Sequence, residues 1–198
     1  SGDILLLSRP LGVGIIFAAQ MQNINLFNST NLVYKNLRTS QQFLLDQIYQ
    51  LQDNLGENII NAATDITGFG FIGHLKEMVK SSNLKRKSHN LNEIKAVLNL
   101  MSFNTYPNVM ELIRKGVKST LFDGNKKIYD EIIEKEFAQR EIIFDLEEDL
   151  STEKISDKIE LLLDPQTCGP LLISCKPKYE KYFKNNWYKV GRICDKDI

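Results

Sequence analysis

The chain has 198 residues, enough for one domain with a sizeable core, and its 42% apolar and 25% charged content is that of an ordinary globular protein. Lys plus Arg and Asp plus Glu each number 25, so the formal net charge is zero and nothing global favours nucleic acid or an anionic membrane surface. Three cysteines without a C-x-x-C spacing, beside only two histidines, argue against a disulfide framework or a zinc site and for a reducing, cytoplasmic compartment.

No apolar run approaches the roughly 20 residues of a membrane span. The start, Ser1-Gly2-Asp3, carries an acid and leads straight into an apolar run, so it reads as a chain cut at a domain boundary and not as a signal peptide. Ile4 to Leu7 is short and continuously apolar, the pattern of a buried strand. Pro10, Gly12 and Gly14 break it, and Ile15 to Met21 suits a short helix. Residues 22–38 are rich in Asn and read as a loop or local insert. Thr39 or Ser40 is placed to cap a helix with its apolar stripe at Phe43, Leu44, Ile48 and Leu51, which Gly56 stops.

Next comes Ala62-Ala63-Thr64-Asp65-Ile66-Thr67-Gly68-Phe69-Gly70-Phe71-Ile72-Gly73-His74-Leu75. Phe71, Leu75, Met78 and Val79 form a helical stripe behind its glycines, expected to end near Ser81, with residues 81–90 as a second loop. Ile94 to Met101 fits strand or helix. Tyr106-Pro107 opens a helix through Ile113 that Gly116 ends. Asp123-Gly124-Asn125 reads as a turn or cap before a helix carrying Ile128, Ile132 and Ile133. Ile142 to Phe144 suits a strand, followed by the acidic Glu147-Glu148-Asp149. Leu161 to Leu163 and Leu171 to Cys175 flank a Pro/Gly turn, and the second run is a buried strand. A short amphipathic helix from Lys178 and a strand from Tyr188 close the chain. Helices alternate with strands, which predicts a sheet covered by helices.

The chemistry concentrates in the glycine-rich stretch. Small residues running into a helix start leave backbone N–H groups free to face an anion. Asp65 stands beside that hole, where a divalent cation bridges a carboxylate to phosphate, and Thr64 and Thr67 offer hydroxyls to the phosphate or to the acid. The competing reading has Asp65 cap the helix while the glycines permit close packing, and spacing alone does not choose. Gly68-x-Gly70-x-x-Gly73 matches the bare dinucleotide pattern, but Thr64 to Thr67 is too polar for the apolar strand that motif needs, and Glu93 lies in polar sequence. His74 is expected to be a satisfied structural histidine. Cys168 has no basic residue near it in sequence and is not assigned as a nucleophile.

Three segments together resemble the selenophosphate synthetases. Gly2 to Gly12 is similar to their GD-x-L-I-L-T-K-P-L-G segment, Ala62 to Leu75 to AATDVTGFGLLGHL, and Asp164 to Leu172 to DPQTSGGLL, in the same order. The resemblance implies an α+β fold, a three-layer α/β/α arrangement with a mixed sheet, as in the C-terminal domain of aminoimidazole ribonucleotide synthetase. It implies that residues 1–198 are a single C-terminal domain of a larger enzyme that makes selenophosphate, AMP and phosphate from selenide, ATP and water with Mg²⁺. Asp65 would then be a metal ligand, and Thr64, Thr67, Gly68 and Gly70 would line the ATP phosphates. The catalytic residues and the other metal aspartates would lie in the enzyme's own N-terminal domain, so this chain alone would be inactive. The implied complete protein is a cytoplasmic homodimer with no nucleic-acid or membrane partner.

The sequence departs from that pattern at Arg9 for Lys, at Val13 for Thr and at Cys168-Gly169-Pro170 for Ser-Gly-Gly, and Pro170 has no N–H to offer an anion. The family's P-G-G-T-x-x-N stretch is barely visible in Lys118 to Asn125. These departures keep two alternatives open: a non-catalytic binding module of the same fold, and another ATP-using member of the superfamily.

Overall fold

The computed structural model describes residues 2–135, 139–146 and 151–196; Glu147-Glu148-Asp149 lies outside them. The sheet is built from β1 (Ile4–Leu7), β2 (Ile60–Asp65), β3 (Ile94–Asn99), β4 (Ile142–Asp145), β5 (Leu171–Cys175) and β6 (Tyr188–Asp195). Its six strands run in the order β2-β5-β1-β6-β3-β4. Every neighbouring pair is antiparallel except β3 with β4. The sheet is therefore mixed, and β2 is an edge strand.

β1 shows why its apolar run is unbroken. Leu5 and Leu7 enter one core, while Ile4 and Leu6 enter another on the opposite face. The first core is completed by helices α1 (Val13–Met21), α2 (Phe27–Arg38), α4 (Gly70–Ser88), α5 (Val109–Arg114), α6 (Phe122–Ile133) and α7 (Thr152–Leu163). The second is covered by α3 (Gln42–Leu55), through Leu44 and Ile48, and by Tyr179, Phe183 and Trp187 around the 3₁₀ segment Pro177–Tyr182. Helices on both faces of a mixed sheet give the expected three layers.

Several local expectations change. Residues 27–38 are not loop but α2, because Val33 is buried, Ser29 Oγ donates to Asn108 Oδ1 at 2.7 Å and Asn36 Nδ2 donates to the Tyr106 hydroxyl at 3.0 Å. Likewise α4 does not stop near Ser81. It continues to Ser88 because Asn83, on its buried face, donates to Ile94 O at 2.9 Å and accepts from Ile94 N at 2.7 Å, hooking the helix to β3. Asn-rich and Lys-rich sequence hid both helices, since a few buried side-chain hydrogen bonds hold segments of low intrinsic propensity. Asp123-Gly124-Asn125 forms the first turn of α6, and Leu161–Leu163 is the last turn of α7. β2 leads toward Gly68, but it is half exposed, pairs antiparallel at the sheet edge and opens no parallel βαβ unit, in keeping with the polar run Thr64 to Thr67. Glu93 lies away from it, its carboxylate 2.8 Å from Lys196 Nζ.

Candidate functional site

Residues from the three sequence segments meet at one end of the sheet. At the end of β1, Ser8 N donates to Leu171 O at 3.0 Å and Ser8 Oγ accepts from Leu171 N at 2.8 Å. The same hydroxyl donates to Gln41 Oε1 at 2.6 Å, and Gln41 Nε2 donates to Gly169 O at 2.9 Å. At the end of β2, Ile66 N donates to Pro170 O at 2.9 Å and Thr67 O accepts from Gln166 N at 3.0 Å. Pro170 thus ties the loop through its carbonyl, and its missing N–H is not needed for that link.

The Asp164–Gln166 turn also seals the start of α1. Gln166 Oε1 accepts from Gly12 N and Val13 N, each at 3.2 Å, and Pro165 O accepts from Gly14 N at 3.1 Å. These are N–H groups that a helix start leaves without intrahelical partners. A Cβ on Gly14 would come within 2.5 Å of both Asp164 Oδ1 and Pro165 O, so the close approach requires glycine. Asp164 is only 1% exposed, and burial pushes its carboxyl from an ordinary 3.8 up to about 7. The amides of Ile15 and Gly14 oppose that rise, yet Oδ1 itself lacks a partner of hydrogen-bond geometry among the described residues.

Asp65 closes β2 as an exposed residue, and its carboxylate has no hydrogen bond or ion pair among the described residues. Thr64 Oγ1 contacts the Asp65 carbonyl at 3.3 Å. Thr67 Oγ1 is 3.0 Å from His74 Nε2, and Thr67 O also accepts from Gly70 N at 3.1 Å. His74 therefore orients Thr67. The glycines separate in role. Gly70 has φ of +65° and lies against Leu163 O, which a Cβ would approach to 2.8 Å, while a Cβ on Gly73 would meet Phe69 Cβ at 2.7 Å. Gly68 has no such neighbour, its nearest being Leu121 Cδ1 at 3.8 Å. Packing and backbone conformation explain two of the three; Gly68 faces open space.

That space is a groove of about 490 Å³ lined by Gly68, by Phe17 and Met21 of α1, by Gln166 of the neighbouring turn, and by Ser119 and Leu121. Around the neighbouring turn, Arg9 Nη1 donates to Cys168 O at 3.1 Å and Nη2 to Thr39 O, and burial lowers the guanidinium's pKa. Arg9 thus holds the Cys168 backbone carbonyl, not its thiol. Cys168 adopts φ of +45°, a left-handed conformation that favours glycine. Sequence reading missed the parts played by Gln41 and Asn125; Asn125 Nδ2 donates to Gly68 O at 2.9 Å and to Leu163 O at 2.8 Å. No sequence signal marks an amide whose partners lie on two other elements.

No group of three or more His, Cys, Asp or Glu placed to hold a metal occurs among the described residues. A cation at Asp65 would need most of its ligands from elsewhere. No helix among them is long and apolar enough to cross a membrane.

Residues 1–197 match the family described as AIR synthase related protein, C-terminal domain. The chain belongs to that family. Among curated proteins it is 28% identical over 183 residues to selenide, water dikinase of Dechloromonas aromatica, covering 90% of this chain and 42% of that protein. It is 26% identical over 198 residues to selenide, water dikinase 2 of Peptoclostridium acidaminophilum, covering 100% of this chain and 47% of that protein. The chain thus spans somewhat less than half the length of these relatives. Among solved structures it resembles a chain of a HypE–HypF complex, with a TM-score of 0.54 at 14% identity, covering 98% of this chain and 47% of that one. That likeness concerns the fold.

Proposed function

We propose that this chain is the C-terminal half of an ATP-dependent selenophosphate synthetase, and that the end of β2 forms one wall of its ATP phosphate site. The observation that carries the reading is the meeting of the three segments around an unpartnered carboxylate, Asp65, and an open glycine, Gly68. The similarity to selenide, water dikinases along nearly the whole chain supports it.

Asp65 suits Mg²⁺: it offers exposed, hard oxygen ligands that no other side chain among the described residues claims, and magnesium takes only one or two carboxylates from a protein. Bound there, the ion would neutralise phosphate charge. Gly68 would contribute backbone N–H to phosphate oxygens, with Gly70 setting the bend behind it. Thr67 would be held in register by His74, and Thr64, whose hydroxyl reaches the Asp65 backbone carbonyl and not its carboxylate, would be free to meet a phosphate oxygen. These residues bind and orient; none is a nucleophile or a proton-transfer group, so the reading assigns no catalytic residue to this chain. The other metal ligands and the selenium-handling groups belong to an N-terminal half, and the complete protein is taken as a cytoplasmic homodimer.

The test is selenide-dependent release of AMP by the complete protein. Asp65→Asn should reduce it at least about a hundredfold, the scale of losing a charge-stabilising group at a reacting phosphate, with unfolding temperature unchanged. The 198-residue chain alone should release none. Undiminished turnover by Asp65→Asn would remove Asp65 from the site, and a complete protein inert toward ATP and selenide would favour a binding module of the same fold.

A further inference from the structure

We propose that Asn125 is a positioning residue whose amide turns the N–H groups of Gly68 and Phe69 outward, making those two amides the loop's anion-facing donors. The inference rests on the reading of this loop as a phosphate wall. Asn125 sits in the first turn of α6, is 4% exposed, and spends Nδ2 on two carbonyls at once, Gly68 O at 2.9 Å and Leu163 O at 2.8 Å. Leu163 O is also the atom against which Gly70 packs. One buried amide therefore joins the glycine loop to the C-terminal end of α7.

The consequence follows from peptide geometry. Each peptide unit here is trans, so the carbonyl of one residue and the N–H of the next point in opposite directions. Thr67 O is drawn inward by Gln166 N at 3.0 Å, which sends Gly68 N–H outward. Gly68 O is drawn inward by Asn125, which sends Phe69 N–H outward. Neither Gly68 N nor Phe69 N has a backbone or side-chain acceptor among the described residues, whereas the next amide, Gly70 N, is used on Thr67 O at 3.1 Å. Two adjacent free donors on a loop held from behind form a concavity for anionic oxygens. Without Asn125, the Gly68 and Leu163 carbonyls lose their shared donor, and a glycine has the freedom to flip the Gly68–Phe69 unit. Phe69 N–H would then turn inward while Asp65 and Thr67 stay in place.

The experiment uses the complete protein labelled with ¹⁵N-glycine and ¹⁵N-phenylalanine and titrated with inorganic tripolyphosphate and Mg²⁺. In the parent, the amide resonances of Gly68 and Phe69 should move together along one binding curve. Asn125→Ala should weaken that curve about tenfold or more, the worth of a hydrogen bond to a charged group. Asn83→Ala is the control. It removes another buried bridging amide, on Ile94, and should lower the unfolding temperature without changing the affinity. Parent-like affinity in a folded Asn125→Ala overturns the proposal, as does a saturating titration in which Gly68 and Phe69 do not move. The second outcome is decisive even if Asn125→Ala does not fold. Either result leaves the assignment of Asp65 standing if Asp65→Asn still abolishes AMP release.

Discussion

The two walls of the groove beside the glycine loop are held in different ways. Thr67, Gly68 and the Asp164–Gly169 turn are bound by hydrogen bonds that reach across the chain, to Gln41, to the start of α1 and to Asn125. The facing wall, Lys118 to Leu121, rests on a partly exposed ion pair of Lys118 with Glu160 at 3.4 Å and on Lys118 Nζ lying 4.4 Å above the Phe122 ring. Its Ser119 hydroxyl is buried without a hydrogen-bond partner among the described residues. The wall that matches the family's motifs is over-determined, and the wall where the P-G-G-T pattern fades is loosely held. Close backbone contacts demand particular residues, whereas exposed ion pairs are worth little and tolerate exchange.

The largest effect should come from breaking the tight wall at its closest contact. A Cβ on Gly169 would overlap the Ile66 carbonyl oxygen, and both are backbone positions that cannot swing aside. Gly169→Ala should therefore cost about 5 kcal/mol, comparable with the whole stability of many domains, and thermal unfolding should show a collapse of the transition. Next in size is a pH effect at Asp164. Its folded pKa of about 7 lies above the ordinary 3.8, so the folded state holds a proton that the unfolded chain releases. This group's contribution is fully present below about pH 4 and is lost as pH rises through 7. Three pH units at about 1.4 kcal/mol each set an upper bound near 4 kcal/mol. Asp164→Asn keeps an oxygen toward the α1 amides without a charge, and should flatten the slope of stability between pH 4 and 7 in denaturant titrations. An unchanged slope would show that Asp164 is not the group responsible.

The same contrast explains how far the sequence was legible. β1, α3 and β5 were readable because burial writes a period into the chain: an unbroken run at Ile4–Leu7, an i, i+4 stripe through Leu44 and Ile48, and a buried run at Leu171–Cys175. α2 and the far end of α4 were not. Their anchoring atoms are the side chains of Ser29, Asn36 and Asn83, whose partners Asn108, Tyr106 and Ile94 are distant or lie past a turn. At the site, Asp65 and the glycines were visible as a composition. That Gly70 and Gly73 serve packing while Gly68 stays open depends on Leu163, Phe69 and Leu121, and no spacing rule contains that information. Asn125 looked like a turn residue because its two acceptors are carbonyls of other elements.

The smallest effect should have the opposite sign and arise on the loose wall. Ser119 Oγ is shielded from water yet has no hydrogen-bond partner among the described residues, so the folded chain forfeits hydration that the unfolded chain keeps. Removing such a hydroxyl deletes the penalty with almost no loss of packed volume. Ser119→Ala should therefore stabilise the protein by about 1 kcal/mol. Ser29→Ala supplies the comparison, because the Ser29 hydroxyl donates to Asn108 at 2.7 Å and its loss should destabilise by a similar amount. If both variants destabilise equally in matched denaturant titrations, the Ser119 hydroxyl has a partner after all and the two walls are alike. A stabilised Ser119→Ala that keeps the parent's tripolyphosphate affinity would place the phosphate contacts on the Gly68 wall and leave the facing wall free to diverge.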